Sequence, residues 1–154
     1  VDDGVLALID KNLVDPERIC MLGASYGGYA ALMGVITRPD LYRCAVTFGA
    51  VTNPGAMFSH LESQGRDTDY WVESIGSRFE PEEYEARSPD HLAGKDTQVP
   101  ARQSERLAKT LKQAGNHNVR YQLFEDEDHW FSLASSRQRF LEEAAEFIAT
   151  ALDD

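Results

Sequence analysis

The sequence has few cysteines and few basic residues, and it lacks any long apolar run. Its 2 cysteines and 4 histidines are scattered over 154 residues, so no metal-binding cluster and no cofactor are expected. The formal net charge is −11, with 26 acidic against 15 basic residues, which makes nucleic acid and anionic membranes poor partners. No segment has enough consecutive apolar residues to span a bilayer. We therefore expect a protein that binds neither nucleic acid nor membranes.

Cysteine usage and the first residues bear on the compartment. Cys20 and Cys44 lie in apolar segments that predict buried strands, where two buried thiols are favoured over a structural disulfide. The residues Val1-Asp2-Asp3-Gly4 do not have the pattern of a signal peptide. We expect a cytoplasmic protein of one domain, with a real core in a chain of 42% hydrophobic residues.

The most informative stretch is a Gly-x-Ser-x-Gly pattern that follows a short apolar run. Residues 19–22 are apolar and too few for a helix, which predicts a parallel strand buried on both faces. The sequence Gly23-Ala24-Ser25-Tyr26-Gly27 then fits a nucleophile elbow, a sharp strand-to-helix turn that holds its serine in a strained conformation. We expect side chains at both glycines of the pattern to collide with the turn, and Gly28 to let the helix start close to the sheet. This helix should continue to Pro39, with its positive end at the serine.

The rest of the chain alternates helices and strands, as in a mostly parallel α/β sheet with helices on both faces. Periodicity predicts helices at 3–13, 101–114 and 135–152, and strands at 44–51 and 119–124. From about 52 to 87 this period is lost, which predicts a cap-like segment whose aromatics cover the core or wall a substrate pocket. Residues 91–98 contain no apolar run, so one strand that is expected before Asp96 is missing.

A serine nucleophile requires a histidine to take its proton and a carboxylate to orient that histidine. In an elbow enzyme the order along the chain is serine, acid, histidine. His129 is the preferred base, because it follows a predicted strand at the sheet edge where Ser25 should emerge. The histidines that compete less well are His60 in the cap, His91 in a turn and His117 at a helix end.

Asp96 is the preferred acid, because it lies just before the predicted helix at 101–114, where the carboxyl end of a strand should deliver a carboxylate. The alternative for Asp96 is an aspartate that caps a helix or a turn. Asp126 and Asp128 are closer to His129 in sequence, but we interpret them as loop charges.

Together these residues resemble the C-terminal catalytic domain of the prolyl oligopeptidase family, with acylaminoacyl peptidases and dipeptidyl aminopeptidase-like members nearest. The resemblance covers residues 1–154, and the segments that carry it are Gly23-Ala-Ser25-Tyr26-Gly27-Gly28-Tyr29, Asp96-Thr-Gln-Val99-Pro100, His129-Trp-Phe131, Asp15-Pro16-Glu17-Arg18-Ile19 and Ser88-Pro89. It implies the C-terminal half of an α/β-hydrolase fold. It also implies hydrolysis of short peptides or acylated amino acids through an acyl-enzyme, by Ser25 as nucleophile, Asp96 as acid and His129 as base. The backbone N–H of Tyr26 is then one oxyanion donor.

The sequence departs from the family pattern at several places. Family members carry an apolar strand between the positions of Lys95 and Asp96, and we predict that the chain is interrupted there by residues missing from the sequence. Asp128 and Trp130 stand where the family has glycines on either side of the base. The N-terminal half of the sheet and the propeller of the family have no counterpart in these residues.

Two functions from different classes remain open. The first is a serine peptidase, or a carboxylesterase, that takes peptides or small esters. Its apolar pocket is expected to favour uncharged substrate side chains, and its predicted lining is Tyr26, Val99 and Trp71 with some of Phe58 and Phe79. The second is a non-catalytic or assembly-dependent α/β module, whose exposed sheet edge pairs with another chain, a second copy or a missing N-terminal part.

Overall fold

The computed structural model describes residues 1–69, 73, 102–113 and 119–153. The strands are β1 (Cys20–Ala24) and β2 (Cys44–Phe48). The helices are α1 (Asp2–Asp10), α2 (Tyr26–Thr37), α3 (Pro54–Ser63), α4 (Arg102–Gln113) and α5 (Ala134–Asp153). The predicted helices at 3–13, 101–114 and 135–152 thus correspond to α1, α4 and α5, and α2 ends before Pro39 as expected.

The strands β1 and β2 lie side by side and run parallel, as the strand–helix–strand pattern predicted. Their register pairs Cys20 with Cys44 at one end and Ala24 with Phe48 at the other. A parallel pair needs a crossover, and α2 supplies it while packing against both strands. The carboxyl ends of β1 and β2 therefore meet at one edge of the sheet, where Ser25 follows β1.

Small residues let α2 lie directly on the sheet. Gly28, Ala31 and Gly34 are its buried positions and share one face of the helix. A Cβ on Gly28 would meet Ala50, whose Cα is 2.9 Å from that position, so the prediction for Gly28 is confirmed. A Cβ on Gly23 would likewise press on the helix start, 2.8 Å from the amide nitrogen of Gly28. The prediction for Gly27 is wrong, because outside its chain neighbours and its own helix backbone no atom lies within 4 Å of its Cβ position.

The helix α3 closes the core beside the elbow. Asn53 caps its first turn by accepting the N–H of Ala56 at 2.8 Å. Met57 and Leu61 pack with Val51, and Phe58 is only 1% exposed. The part of the cap-like segment that is described therefore covers the core. Phe58 is therefore part of this cover and not of an open pocket. Trp71 and Phe79, the other aromatics from which the pocket was expected to draw, lie outside the described residues.

The two cysteines form a disulfide, which corrects the expectation of two buried thiols. Cys20 and Cys44 are direct partners in the β1–β2 register, and their Cα atoms are 4.7 Å apart. That separation is within the range that a disulfide spans. The sequence predicted both strands but not their register, so it did not place the two sulfur atoms together.

Two expectations about strands are also corrected. Residues 119–124 form no strand, and in the described ranges the sheet contains only β1 and β2. A strand needs ladder partners, and these residues have none within that part of the chain. Leu22 of β1 is 58% exposed, so β1 is not buried on both faces. Residues 91–98, with the predicted interruption before Asp96, lie outside the described residues.

The helix α1 is held to the end of α2 by a buried tyrosine. The hydroxyl of Tyr42 donates to Oδ1 of Asp2 at 2.8 Å, and Arg38 lies 3.8 Å from the other oxygen of the same carboxylate. Burial, together with this bond, raises the pKa of Tyr42 to about 12. Within the described ranges, no helix is long and apolar enough to cross a membrane.

Candidate active site

Ser25 occupies the turn between β1 and α2 in a conformation that few residues adopt. Its φ is 52° and its ψ is −123°, as expected for a strained nucleophile elbow. The N–H of Ser25 donates to the carbonyl of Phe48 at 3.0 Å. Its carbonyl accepts the N–H groups of Gly28, Tyr29 and Val51 at 3.0 to 3.2 Å. Both α2 and the segment after β2 thus hold the backbone of Ser25, which leaves the side chain to face the sheet edge.

His129 lies against this serine. Its Nε2 is 3.0 Å from Oγ of Ser25, although the two residues are 104 positions apart in sequence. With the ring proton on Nδ1, Nε2 accepts a hydrogen bond from the serine hydroxyl. This is the arrangement in which an imidazole can remove the proton of an attacking hydroxyl.

An aromatic cluster fixes the loop that carries His129, residues 125–133. Phe131 is buried, and its ring centroid lies 4.3 Å from that of Phe48 at the end of β2. Phe124 is 4.9 Å away and edge-on, and Phe140 of α5 is 5.7 Å away. The ring of Phe131 therefore ties the loop to the strand that ends beside Ser25. No sequence pattern predicts this cluster, because its members come from four separate segments.

Polar contacts close the same loop. Glu127 is only 2% exposed, and its Oε1 accepts the N–H of Leu133 at 3.1 Å. Nη1 of Arg137 donates to the carbonyls of Phe131 and Ser132, each at 2.8 Å. These contacts join the start of the loop to its end, and the end of the loop to α5. They hold the turn that carries His129. Sequence reasoning missed both residues, since neither lies in a recognisable motif.

Asp128 and Trp130 fit the loop, although the resemblance implied glycines at these two positions. Oδ1 of Asp128 accepts the N–H of Trp130 at 2.9 Å and the hydroxyl of Ser132 at 3.1 Å. The positive φ of this loop falls on Phe131, at 55°, and not on Asp128 or Trp130. The loop therefore needs glycine at neither position, and Asp128 is a loop residue, as it was interpreted.

Of the other residues predicted for the site, the structure describes Tyr26 and His60. Tyr26 is the first residue of α2, and its exposed side chain lies 5.4 Å, ring to ring, from Tyr29. His60 lies on α3, where its Nε2 is 3.1 Å from Nε2 of Gln64. Asp96, Val99 and Trp71 lie outside the described residues, as do His91 and His117. Over the described ranges, no three His, Cys, Asp or Glu side chains are grouped as metal ligands.

Comparison with known proteins gives consistent matches along the chain. The model of the prolyl oligopeptidase family matches residues 2–154. Dipeptidyl aminopeptidase BIII of Pseudoxanthomonas mexicana is 26% identical over 97% of this chain. A puromycin-hydrolyzing peptidase of Mycobacterium tuberculosis is 27% identical over 97% of this chain, with a TM-score of 0.79. An acylaminoacyl peptidase of Pyrococcus horikoshii has the same fold, with a TM-score of 0.67 over 89% of this chain and 24% identity.

These relatives are much longer than this chain. The chain covers 24% of each of the three, about a quarter of their length. The alignment with the dipeptidyl aminopeptidase extends over 172 positions, more than the 154 residues of this chain. Some residues of that relative therefore have no counterpart here, even within the matched region.

Proposed function

Because this chain belongs to the prolyl oligopeptidase family, we propose that it carries the reacting groups of a serine peptidase that cleaves short peptides or acylated amino acids. In this proposal Ser25 is the nucleophile, His129 the general base and Asp96 the acid that orients His129. The observation that supports it most is the 3.0 Å contact between Nε2 of His129 and Oγ of Ser25. The strained backbone of Ser25 at the start of α2 supports it further.

The reaction would proceed in two halves. Oγ of Ser25 attacks the carbonyl carbon of the substrate while its proton passes to Nε2 of His129. The negative charge then develops on the carbonyl oxygen, where the backbone N–H of Tyr26 and the N-terminal end of α2 can stabilise it. His129 returns the proton to the departing amine, which leaves an acyl-enzyme on Ser25. Water, activated by the same histidine, then releases the acid and restores the serine.

Substrate selection is assigned to residues close to the nucleophile. The side chain of Tyr26 is exposed directly after Ser25, and we include Val99 and Trp71 in the same pocket from their sequence positions. The apolar side chains of this pocket should favour small or aromatic uncharged residues on the acyl side of the scissile bond. Two relatives are named as a dipeptidyl aminopeptidase and a puromycin-hydrolyzing peptidase, so short peptides with such residues are the first substrates to test.

A peptidase assay with matched serine variants tests the proposal. Ser25→Ala should lower kcat by about a millionfold, which is the loss found when a catalytic serine of this kind is removed. Ser59→Ala is the control, because that hydroxyl donates to the carbonyl of Gly55 within its own helix, α3. It should keep the wild-type rate. Turnover by Ser25→Ala within tenfold of wild type would exclude Ser25 as the nucleophile.

A second candidate is an assembly-dependent module that reacts only when its sheet is completed. The exposure of Leu22 on β1 favours it, because both faces of a parallel sheet are normally covered and this apolar strand residue is 58% exposed. Measuring the rate per mole over a range of chain concentrations, together with the mass of the species in solution, distinguishes the two. A rate per mole that does not depend on concentration supports the first candidate, and a rate that appears only as the chains associate supports the second.

A further inference from the structure

Trp130 is a large apolar side chain that lies directly beside the proposed reacting pair. Its surface is 75% exposed, although tryptophan is usually buried over most of its area. Its ring stands at 80° to the ring of His129, with the two centroids 5.8 Å apart. An exposed indole at this point of the molecule is available to a ligand that approaches the serine.

The exposure of Trp130 is built into its loop. Its backbone N–H is held at 2.9 Å by the carboxylate of Asp128, on one side of the residue. On the other side, Phe131 is buried among aromatic rings, and its carbonyl accepts from Arg137. The backbone of Trp130 is therefore held by the hydrogen bond to Asp128 and by the buried Phe131 that follows it, while its indole remains exposed.

The chemistry of acyl transfer decides which part of a substrate would meet this ring. His129 must give its proton to the leaving amine, so the leaving group lies within hydrogen-bond reach of Nε2. A side chain adjacent to the His129 ring can therefore reach the leaving group. The acyl part of the substrate lies toward Tyr26, whose N–H would face the oxyanion.

Resting on the proposed function, we propose that Trp130 selects the leaving-group side of the substrate by stacking on a planar side chain directly after the scissile bond. Aromatic rings stack on an indole, and a guanidinium binds over its face. Glu125, Asp126 and Asp128 are exposed on the same loop, so its charge favours arginine and disfavours glutamate.

The test uses peptides that share one acyl part and differ only in the residue after the scissile bond, with Arg, Phe, Gly or Glu there. For the wild-type protein, kcat/KM should be highest for Arg and Phe and lowest for Glu. Trp130→Ala should reduce the Phe-to-Gly and Arg-to-Gly ratios of kcat/KM by about two- to tenfold. Trp130→Phe should restore most of the Phe-to-Gly ratio. Leu141→Ala is the control, because it removes an exposed apolar side chain on α5 and should leave both ratios unchanged.

Labelling of Ser25 by a fluorophosphonate separates this inference from the proposed function, because its leaving group is fluoride and carries no side chain. Wild-type protein that does not label contradicts the proposed function itself. Wild-type labelling with unchanged ratios in Trp130→Ala overturns the role of Trp130 alone. Trp130→Ala that no longer labels also overturns it, since the indole would then position His129 instead of contacting the substrate.

Discussion

The aromatic anchor of the His129 loop can be removed one ring at a time. Phe131 is buried and contacts three other phenylalanine rings, the nearest being Phe48 at 4.3 Å between centroids. Truncating such a ring to alanine typically costs about 3 to 5 kcal/mol of unfolding free energy. We therefore expect Phe131→Ala to lower the unfolding free energy by about 3 to 4 kcal/mol. Because this ring ties the loop to β2, His129 should also lose its position against Ser25.

Phe140→Ala is the matched control for this experiment. Phe140 belongs to the same cluster, 6.0 Å from Phe48, but it lies on α5 and is only half-buried. It should lower the unfolding free energy by about 2 kcal/mol while leaving His129 in place. Urea unfolding measures the stabilities, and the rate of fluorophosphonate labelling, taken where each variant is folded, measures the reactivity of Ser25.

The two variants should therefore separate stability from positioning. We expect Phe131→Ala to label at least tenfold more slowly than wild type, and Phe140→Ala to label within about twofold of it. A folded Phe131→Ala protein that labels at the wild-type rate would refute the argument that this ring positions His129. Equal slowing in both variants would refute it too, because the effect would then follow general destabilisation.

Three other residues or pairs give separate predictions. The pKa of Tyr42 is raised to about 12, above its usual value of about 10, so its contribution to stability is present below pH 10 and lost as the pH rises through 12. Urea unfolding at these pH values should show the decline, and Tyr42→Phe should reduce it. Thiol titration of the unreduced protein should find no free Cys20 or Cys44. Reduction should lower the unfolding free energy by about 3 kcal/mol. Two reactive thiols in freshly purified protein would contradict the disulfide and would agree with the predicted cytoplasmic location. Glu127→Ala should cost about 1 to 2 kcal/mol by removing the acceptor of the Leu133 N–H, and Glu127→Gln less, as measured by urea unfolding.

The elbow was predictable because its constraints are local. A short apolar run, a glycine at position 23 and a helix of small residues favour one backbone path around the serine, and the structure has it, with φ of 52° at Ser25. The parallel pairing of β1 and β2 also followed, since a strand, a helix and a strand in succession allow few other arrangements. His129 was chosen from chain order and from its place after a predicted strand, and the structure brings it to 3.0 Å from the serine although residues 119–124 form no strand.

What could not be predicted depends on register and on contacts between distant segments. The Cys20–Cys44 disulfide requires the exact pairing of two strands, which apolar runs do not specify. The burial of Glu127 and the bracing of its loop by Arg137 depend on where α5 begins relative to the loop. Residues 119–124 alternate like a strand but have no ladder partner among the described residues, and alternation alone cannot supply one.

The most direct test of the account is to locate the residue that a fluorophosphonate modifies. The account predicts one adduct, mapped by mass spectrometry to Ser25, in the folded wild-type protein. No adduct should form when the protein is unfolded in urea before labelling, or when His129→Ala is labelled. In both cases Ser25 lacks the imidazole that activates its hydroxyl from 3.0 Å away. Folded protein without an adduct on Ser25, or equal labelling of Ser25 in His129→Ala, would contradict the claim that these two residues form a reacting pair.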